Sequence, residues 1–247
     1  MPRLDVKGPN IVKGIHTEGL RVVGNPRDLA LRYYAEGADE IIYMDIVASL
    51  YQRNLDFELL RQVSDGIFIP FTVGGGIRSI NDINNALRSG ADKVAINTYA
   101  IHHPEFLKEA AEKFGSQCIV LSVEAKKIGD SQWEAYTDGG REHTGIDAIE
   151  WIKKALDLGV GEILITSIDR DGTRKGYELE LVQAITNFAH VPVIVHGGAS
   201  TMESAEKVIR DGLADAIAAG SVFHYSDFKI NDLKKYLSER NINVRLV

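Results

Sequence analysis

The sequence predicts an α/β fold: one (βα)8 TIM barrel, residues 1–247, built from two similar half-barrels of about residues 1–120 and 121–247. Three observations carry this expectation. Eight short apolar segments alternate with eight helical patterns, with no linker-like break in composition. The run Gly37-Ala38-Asp39-Glu40-Ile41-Ile42 recurs as Gly159-Val160-Gly161-Glu162-Ile163-Leu164 at an offset of 122 residues. The glycine pairs Gly75-Gly76 and Gly197-Gly198 fall at the same offset, each after an apolar strand and before a helical run. A doubly wound sheet also alternates, and the internal repeat decides against it.

Taken in order, Arg3–Lys7 is a short strand, followed by a loop from Gly8 to about Gly24 that carries Lys13 and His16. Asn25-Pro26 opens a helix to about Glu36, since proline is tolerated in a first turn. The alternation then gives strand 41–46, helix 57–65, strand 68–73, helix 81–89, strand 93–96, helix 104–114 and strand 118–123. Lys127–His143 reads as an inserted hairpin, closed by Trp133 and Tyr136. Helix 146–158, strand 162–167, helix 179–188, strand 191–195, helix 202–211, strand 216–219 and helix 227–238 complete the second half. Lys234-Lys235 on the last helix reads as a solvated face.

Composition narrows the function. With 45% hydrophobic and 26% charged residues the chain is ordinary globular protein. A net charge of −7 argues against a general nucleic-acid surface. The single cysteine, Cys118, excludes an internal disulfide and a cysteine-based zinc site, and fits a reducing compartment. No long apolar run or signal-peptide core is present, so no membrane association and a cytoplasmic location are expected.

In this architecture chemistry sits at the C-terminal ends of the strands. Two groups of residues there suit phosphate: Gly75 and Gly76 with Asn97 and Thr98, and Gly197 and Gly198 with Gly220 and Ser221. Each offers backbone N–H donors near a helix start and one hydroxyl. The half-barrel relation puts them on opposite sides of the mouth, where a substrate with a phosphate at each end spans them. Asp5 and Glu124 end strands one and five and face each other across the axis. Such a pair can act as general acid and base if its environment drives the two pKa values apart. A structural role, paired with Lys7, Lys126 or Lys13, is the competing reading, and the repeat favours catalysis. Asp169, Asp171 and Gly172 follow strand six as a ligand clamp or a capped turn. No histidine is spaced with these acids as a metal ligand, so no metal or cofactor is expected. His102-His103 reads as a solvated helix start.

An ordered set of motifs makes a resemblance specific: Leu4-Asp5-Val6-Lys7, Ile11-Val12-Lys13-Gly14, Thr72 to Arg78, Gly90 to Val94, Phe114-Gly115-Ser116-Gln117, Ser167 to Thr173, and Val244-Arg245-Leu246. Over essentially its whole length the chain resembles the cyclase subunit of imidazole glycerol phosphate synthase. The resemblance implies a (βα)8 barrel that receives ammonia from a glutaminase subunit bound as a heterodimer at the N-terminal face. Its bisphosphorylated substrate, phosphoribulosylformimino-aminoimidazole carboxamide ribonucleotide, is converted to imidazole glycerol phosphate and the aminoimidazole carboxamide ribonucleotide, a step of histidine synthesis. It implies acid/base work for Asp5, a mobile loop bearing Lys13, and an ammonia gate in which Glu40, Lys93 and Glu162 match three of four charged positions.

Two departures stand out. The second catalytic carboxylate of the family is aspartate, whereas this chain has Glu124, which we assign as a base. The family's first strand also starts several residues earlier, with the fourth gate charge, an arginine. Alternation points Arg3 into the barrel, where it is expected to replace part of that charge, unless the recorded start is truncated. These departures keep an alternative in view: a paralogous ammonia-channelling subunit serving amidation of a surface sugar. A scaffold that only holds a glutaminase is a third reading, weakened by the retained phosphate loops and Asp5.

Overall fold

The computed structural model describes residues 1–16 and 18–246. Among them, eight strands pair in parallel in chain order: β1 Arg3–Lys7, β2 Ile41–Asp45, β3 Phe71–Gly74, β4 Lys93–Ile96, β5 Ile119–Gly129, β6 Glu162–Ser167, β7 Val193–His196 and β8 Ala216–Ile217. The ring closes where Pro2 bridges Ala219 in parallel, with Arg3 N–H donating to Ala219 O at 2.9 Å and Ala219 N–H to Met1 O at 3.0 Å. Helices fill the connections, and their starts are set locally. Asn25 accepts from the N–H groups of Arg27 and Asp28 ahead of Pro26–Ala35. Ser79 and Thr201 cap Ile80–Arg88 and Met202–Arg210 in the same way, satisfying donors that a helix leaves unpaired.

Strand alternation separates two apolar regions. Outward-facing Leu4, Ile41, Tyr43, Val73, Val94, Leu121 and Ile163 pack under the helices in the larger core. Inward-facing Ile42, Met44, Ala95, Val120, Leu164, Ile194 and Ala218 form a second, smaller core inside the barrel. This inner column lies between the strand starts and the charged groups at the strand ends.

Several boundaries differ from the sequence expectation. The segment after β1 is a β-hairpin, Asn10–Ile15 and Glu18–Gly24, laid antiparallel on β1 through Val6↔Ile11. Its glycines and bulged register obscure the alternation that marks a strand. β3 begins at Phe71 because Pro70 has no N–H for the ladder, and Phe68 is left 83% exposed. β5 runs on to Gly129 because Gln132–Thr137 pairs antiparallel with it, and Glu142–Asp147 pairs in turn with that strand. Asp147 then caps a helix that starts at Ala148.

Two short helices, Thr98–His102 and Ser221–His224, follow β4 and β8 after one and three residues, at corresponding places in the two halves. Lys234 is buried rather than solvated. The final helix packs its aliphatic stem inward while the ammonium reaches Gly37 O and the Asp39 carboxylate, each at 2.7 Å. No helix among the described residues is long and apolar enough to cross a membrane.

Candidate active site

Asp5 lies near the end of β1, its side chain inside the barrel and the residue only 6% exposed. Two cations meet its carboxylate. Arg3, two residues earlier on the same face, donates from Nε to Oδ1 at 2.8 Å, and Lys13 reaches Oδ2 from the hairpin at 3.2 Å. Lys13 is shared with Asp171, in the turn after β6, at 2.8 Å. The Arg3 guanidinium also donates to Thr166 Oγ1 at 3.0 Å and lies 3.2 Å from His196 Nδ1. Burial alone would raise the Asp5 carboxyl, but the Arg3 and Lys13 charges outweigh it and hold the group well below the usual carboxylate range. His196 is pushed down to about 3 by burial and by the Arg3 charge, so it is neutral.

Glu124 on β5 has a different environment. It is equally buried, but no cation lies within ion-pair distance among the described residues. Asn97 Nδ2 donates to its Oε2 at 2.9 Å and to Tyr136 O at 3.0 Å. Burial lifts the Glu124 carboxyl from 4.5 to about 7, against the Arg3 charge and the Gly140 N–H and Asn97 amide donors, which favour the carboxylate. One carboxylate is therefore fixed in its ionised form while the other exchanges a proton near neutral pH. That is the division of labour acid–base chemistry needs.

Three hollows adjoin around this pair through shared lining residues. A cavity of about 520 Å³ is lined by Asp45, Gly75, Gly76, Asn97, Thr98 and, at its inner end, Arg3 and Glu124. A narrow crevice carries Arg3, Asp5, Lys13, Glu124, Thr166 and Asp171. A second crevice shares Lys13 and Asp171 and continues to Gly172, Gly197, Gly198, Gly220 and Ser221. The two glycine–hydroxyl groups thus bracket the carboxylates. Ser122 and Asn97 line the large cavity, and Ser122 Oγ and Asn97 Oδ1 are buried in its wall without a hydrogen-bond partner among the described residues.

The glycine turns have a second reason to be glycine. Gly75 and Gly198 have φ of 98° and 97°, and a Cβ would stand 2.1 Å from Asp45 O and 2.2 Å from Gly176 O. A side chain there collides with main chain before it obstructs any ligand, so valine at either position disrupts the turn itself. Gly172 likewise abuts the Lys13 hairpin, at Gly14 O.

At the opposite end, Glu40, Lys93 and Glu162 meet where β2, β4 and β6 begin. Lys93 Nζ bridges the two carboxylates at 2.7 Å each. Arg3 does not join them. Its side chain leans along β1 toward Asp5, where it finds two acceptors, and the expectation that it stands in for a gate charge is corrected. Asp169 accepts from Lys127 N–H at 2.8 Å and is a turn residue, whereas Asp171 faces the site. His102 and His103 are exposed and lie on the rim of the large cavity. Sequence reasoning missed His196 and Thr166. Ending β7 at Val195 put His196 in the loop, and Thr166 was legible only as the inward position after Glu162 and Leu164. Among the described residues no three of His, Cys, Asp and Glu are grouped to hold a metal ion.

Comparison with known proteins points the same way. The family model described as "Histidine biosynthesis protein" matches residues 1–229. A Legionella pneumophila protein named "Imidazole glycerol phosphate synthase subunit HisF" is 56% identical over 201 residues, covering 81% of this chain and 95% of the relative. A Streptococcus mutans serotype c protein of the same name is 46% identical over 245 residues, covering 99% and 98%.

Proposed function

This chain belongs to the histidine biosynthesis protein family, and from that membership we infer that it is the cyclase subunit of imidazole glycerol phosphate synthase, a lyase. It uses ammonia to convert the bisphosphorylated formimino substrate into imidazole glycerol phosphate and the aminoimidazole carboxamide ribonucleotide. The observation that carries the reading is the pair Asp5 and Glu124, both buried, oppositely displaced in pKa, and set between two glycine–hydroxyl clusters.

Closing an imidazole ring on ammonia is a sequence of proton transfers. The incoming nitrogen must shed protons as it bonds to carbon. The carbonyl oxygen it replaces must gain protons to leave as water, and the departing amine takes one as the second product separates. Glu124 accepts and returns protons in the neutral range. Asp5, ionised in the resting site, takes up hydrogen bonds and protons from nitrogen as positive charge develops on it. Gly75, Gly76 and Thr98, with the main chain of Asn97, hold one phosphate, since the Asn97 amide is turned to Glu124; Gly172, Gly197, Gly198, Gly220 and Ser221 hold the other, with Lys13 and Asp171 between.

As a subunit of a synthase the chain works with a partner. We assign that partner as a glutaminase seated on the N-terminal face, over Glu40, Lys93 and Glu162. Ammonia released there enters the apolar column of Ile42, Val120, Leu164 and Ile194. The test is incubation of the isolated chain with the bisphosphate and an ammonium salt, followed by mass spectrometry. Both products in equal amount support the function; an unchanged bisphosphate rejects it.

A further inference from the structure

We propose that Arg3 is a positioning residue of the reaction: from the barrel wall it holds Asp5 as an oriented carboxylate facing Glu124 across the site. The inference rests on the reading of Asp5 and Glu124 as the reacting pair.

The geometry begins with a count of charges. Asp5 and Asp171 are both buried, and Lys13 contacts both, at 3.2 and 2.8 Å. One ammonium cannot balance two buried carboxylates, and an unbalanced carboxylate in such surroundings takes up a proton. Arg3 supplies the second cation, 2.8 Å from Asp5. His196 cannot serve, because its neutral ring faces the same guanidinium.

The two cations also come from different supports. Lys13 is carried by the hairpin over the mouth, whereas Arg3 is part of β1 and is fixed across the interior by Thr166 on β6. Asp5 therefore keeps a partner in the rigid barrel that does not depend on where the hairpin sits. Nε and Oδ1 meet between residues i and i+2 of one strand, which fixes the direction of the carboxylate as well as its charge. Arg3 further lines both the large cavity and the crevice shared by Asp5 and Glu124, so its charge faces each carboxylate.

Among the described residues, Asp5 is faced by Arg3 on its own strand, Lys13 on the hairpin, Asp171 after β6 and His196 on β7, with Glu124 across the axis on β5. Arg141, between the two inserted strands after β5, lines the same crevice. His224, in the short helix after β8, feels the Asp5 charge while bonded to Tyr33. Asp45 on β2 is engaged by Arg53 at 2.7 Å.

The experiment has two readouts on Arg3→Met and Arg3→Lys. The first is the ¹³C-carboxyl signal of labelled Asp5, assigned by its loss in Asp5→Asn and followed against pH. In the wild type this carboxyl stays ionised to the acid limit of the fold. In Arg3→Met it titrates within the folded range, and Arg3→Lys restores the wild-type behaviour. The second is ammonium-driven kcat/KM referred to free ammonia. The wild type and Arg3→Lys lose activity on the acid side with a one-proton slope, whereas Arg3→Met steepens to two protons, an extra loss of about tenfold per pH unit.

A wild-type Asp5 that titrates like an ordinary carboxyl overturns the proposal, even if the methionine variant fails to fold. So does a shifted carboxyl in Arg3→Met without a steeper limb. Absence of turnover in the wild type counts instead against the assigned reaction, while the carboxyl titration still reads the hold of Arg3 on Asp5.

Discussion

Replacing Glu124 with glutamine separates the cost of its burial from its use. The native carboxyl rises from 4.5 to about 7 because it is buried with no cation in contact. Between those two values the folded protein holds a proton that the unfolded chain has released, so stability falls as pH rises through this window and then levels off. The displacement corresponds to on the order of 3 kcal/mol.

Glutamine keeps the shape, accepts from Asn97 with its carbonyl and carries no charge, so it escapes this loss. Any hydrogen bond it fails to reproduce costs roughly 1 kcal/mol at every pH and leaves the slope untouched. Urea unfolding of both proteins from about pH 4.5 to 8 therefore gives curves that diverge. The variant gains on the wild type by on the order of 3 kcal/mol at the alkaline end, while its ammonium-driven kcat falls by about 10²-fold or more. A difference in stability that does not change with pH refutes the environment assigned to Glu124.

Three further outcomes are expected. Asp5→Asn leaves Arg3 and Lys13 short of a countercharge. It should lose about 3–5 kcal/mol near neutral pH, a deficit that fades as acid protonates Asp5 in the unfolded wild-type chain while the folded one stays ionised, and lower kcat by roughly 10²-fold; a folded variant with native kcat removes Asp5 from the mechanism. Lys93→Glu places three acids together at the strand starts, and should impair glutamine-dependent turnover with the partner more than ammonium-dependent turnover; equal losses count against a gate. Crystals soaked in inorganic phosphate should hold one anion near Thr98 and another near Ser221, and density at only one of them indicates a monophosphorylated ligand.

The barrel was legible because it is written in patterns that depend on neighbours along the chain. Strand runs, capped helix starts and the repeated Gly-Gly turns locate the eightfold alternation and both glycine–hydroxyl clusters. Inward pairing of Asp5 with Glu124 followed from alternation and the repeat, but their unlike environments did not. Those depend on Arg3 and Lys13 reaching one carboxylate while the other accepts from Asn97 and Gly140, a difference made largely by contacts between residues apart in sequence. Arg3 was placed inside correctly but at the wrong level, because alternation fixes the face of a strand and not how far a long side chain leans along it. The hairpin at residues 10–24 escaped notice because bulges break its period. Lys234 escaped because its aliphatic stem is buried while its charge finds Asp39.

In the proposed reaction a buried carboxylate titrating near neutrality drives cyclisation beside one that starts ionised. This is tested most directly by the pH dependence of kcat/KM for the bisphosphate with ammonium salt and no partner, each rate referred to free ammonia. Wild-type activity should decline with a single-proton slope below about pH 7, a limb retained in Glu124→Asp and absent from the residual activity of Glu124→Gln. Ready cyclisation by Glu124→Gln with the same acid limb as the wild type would contradict this role of Glu124.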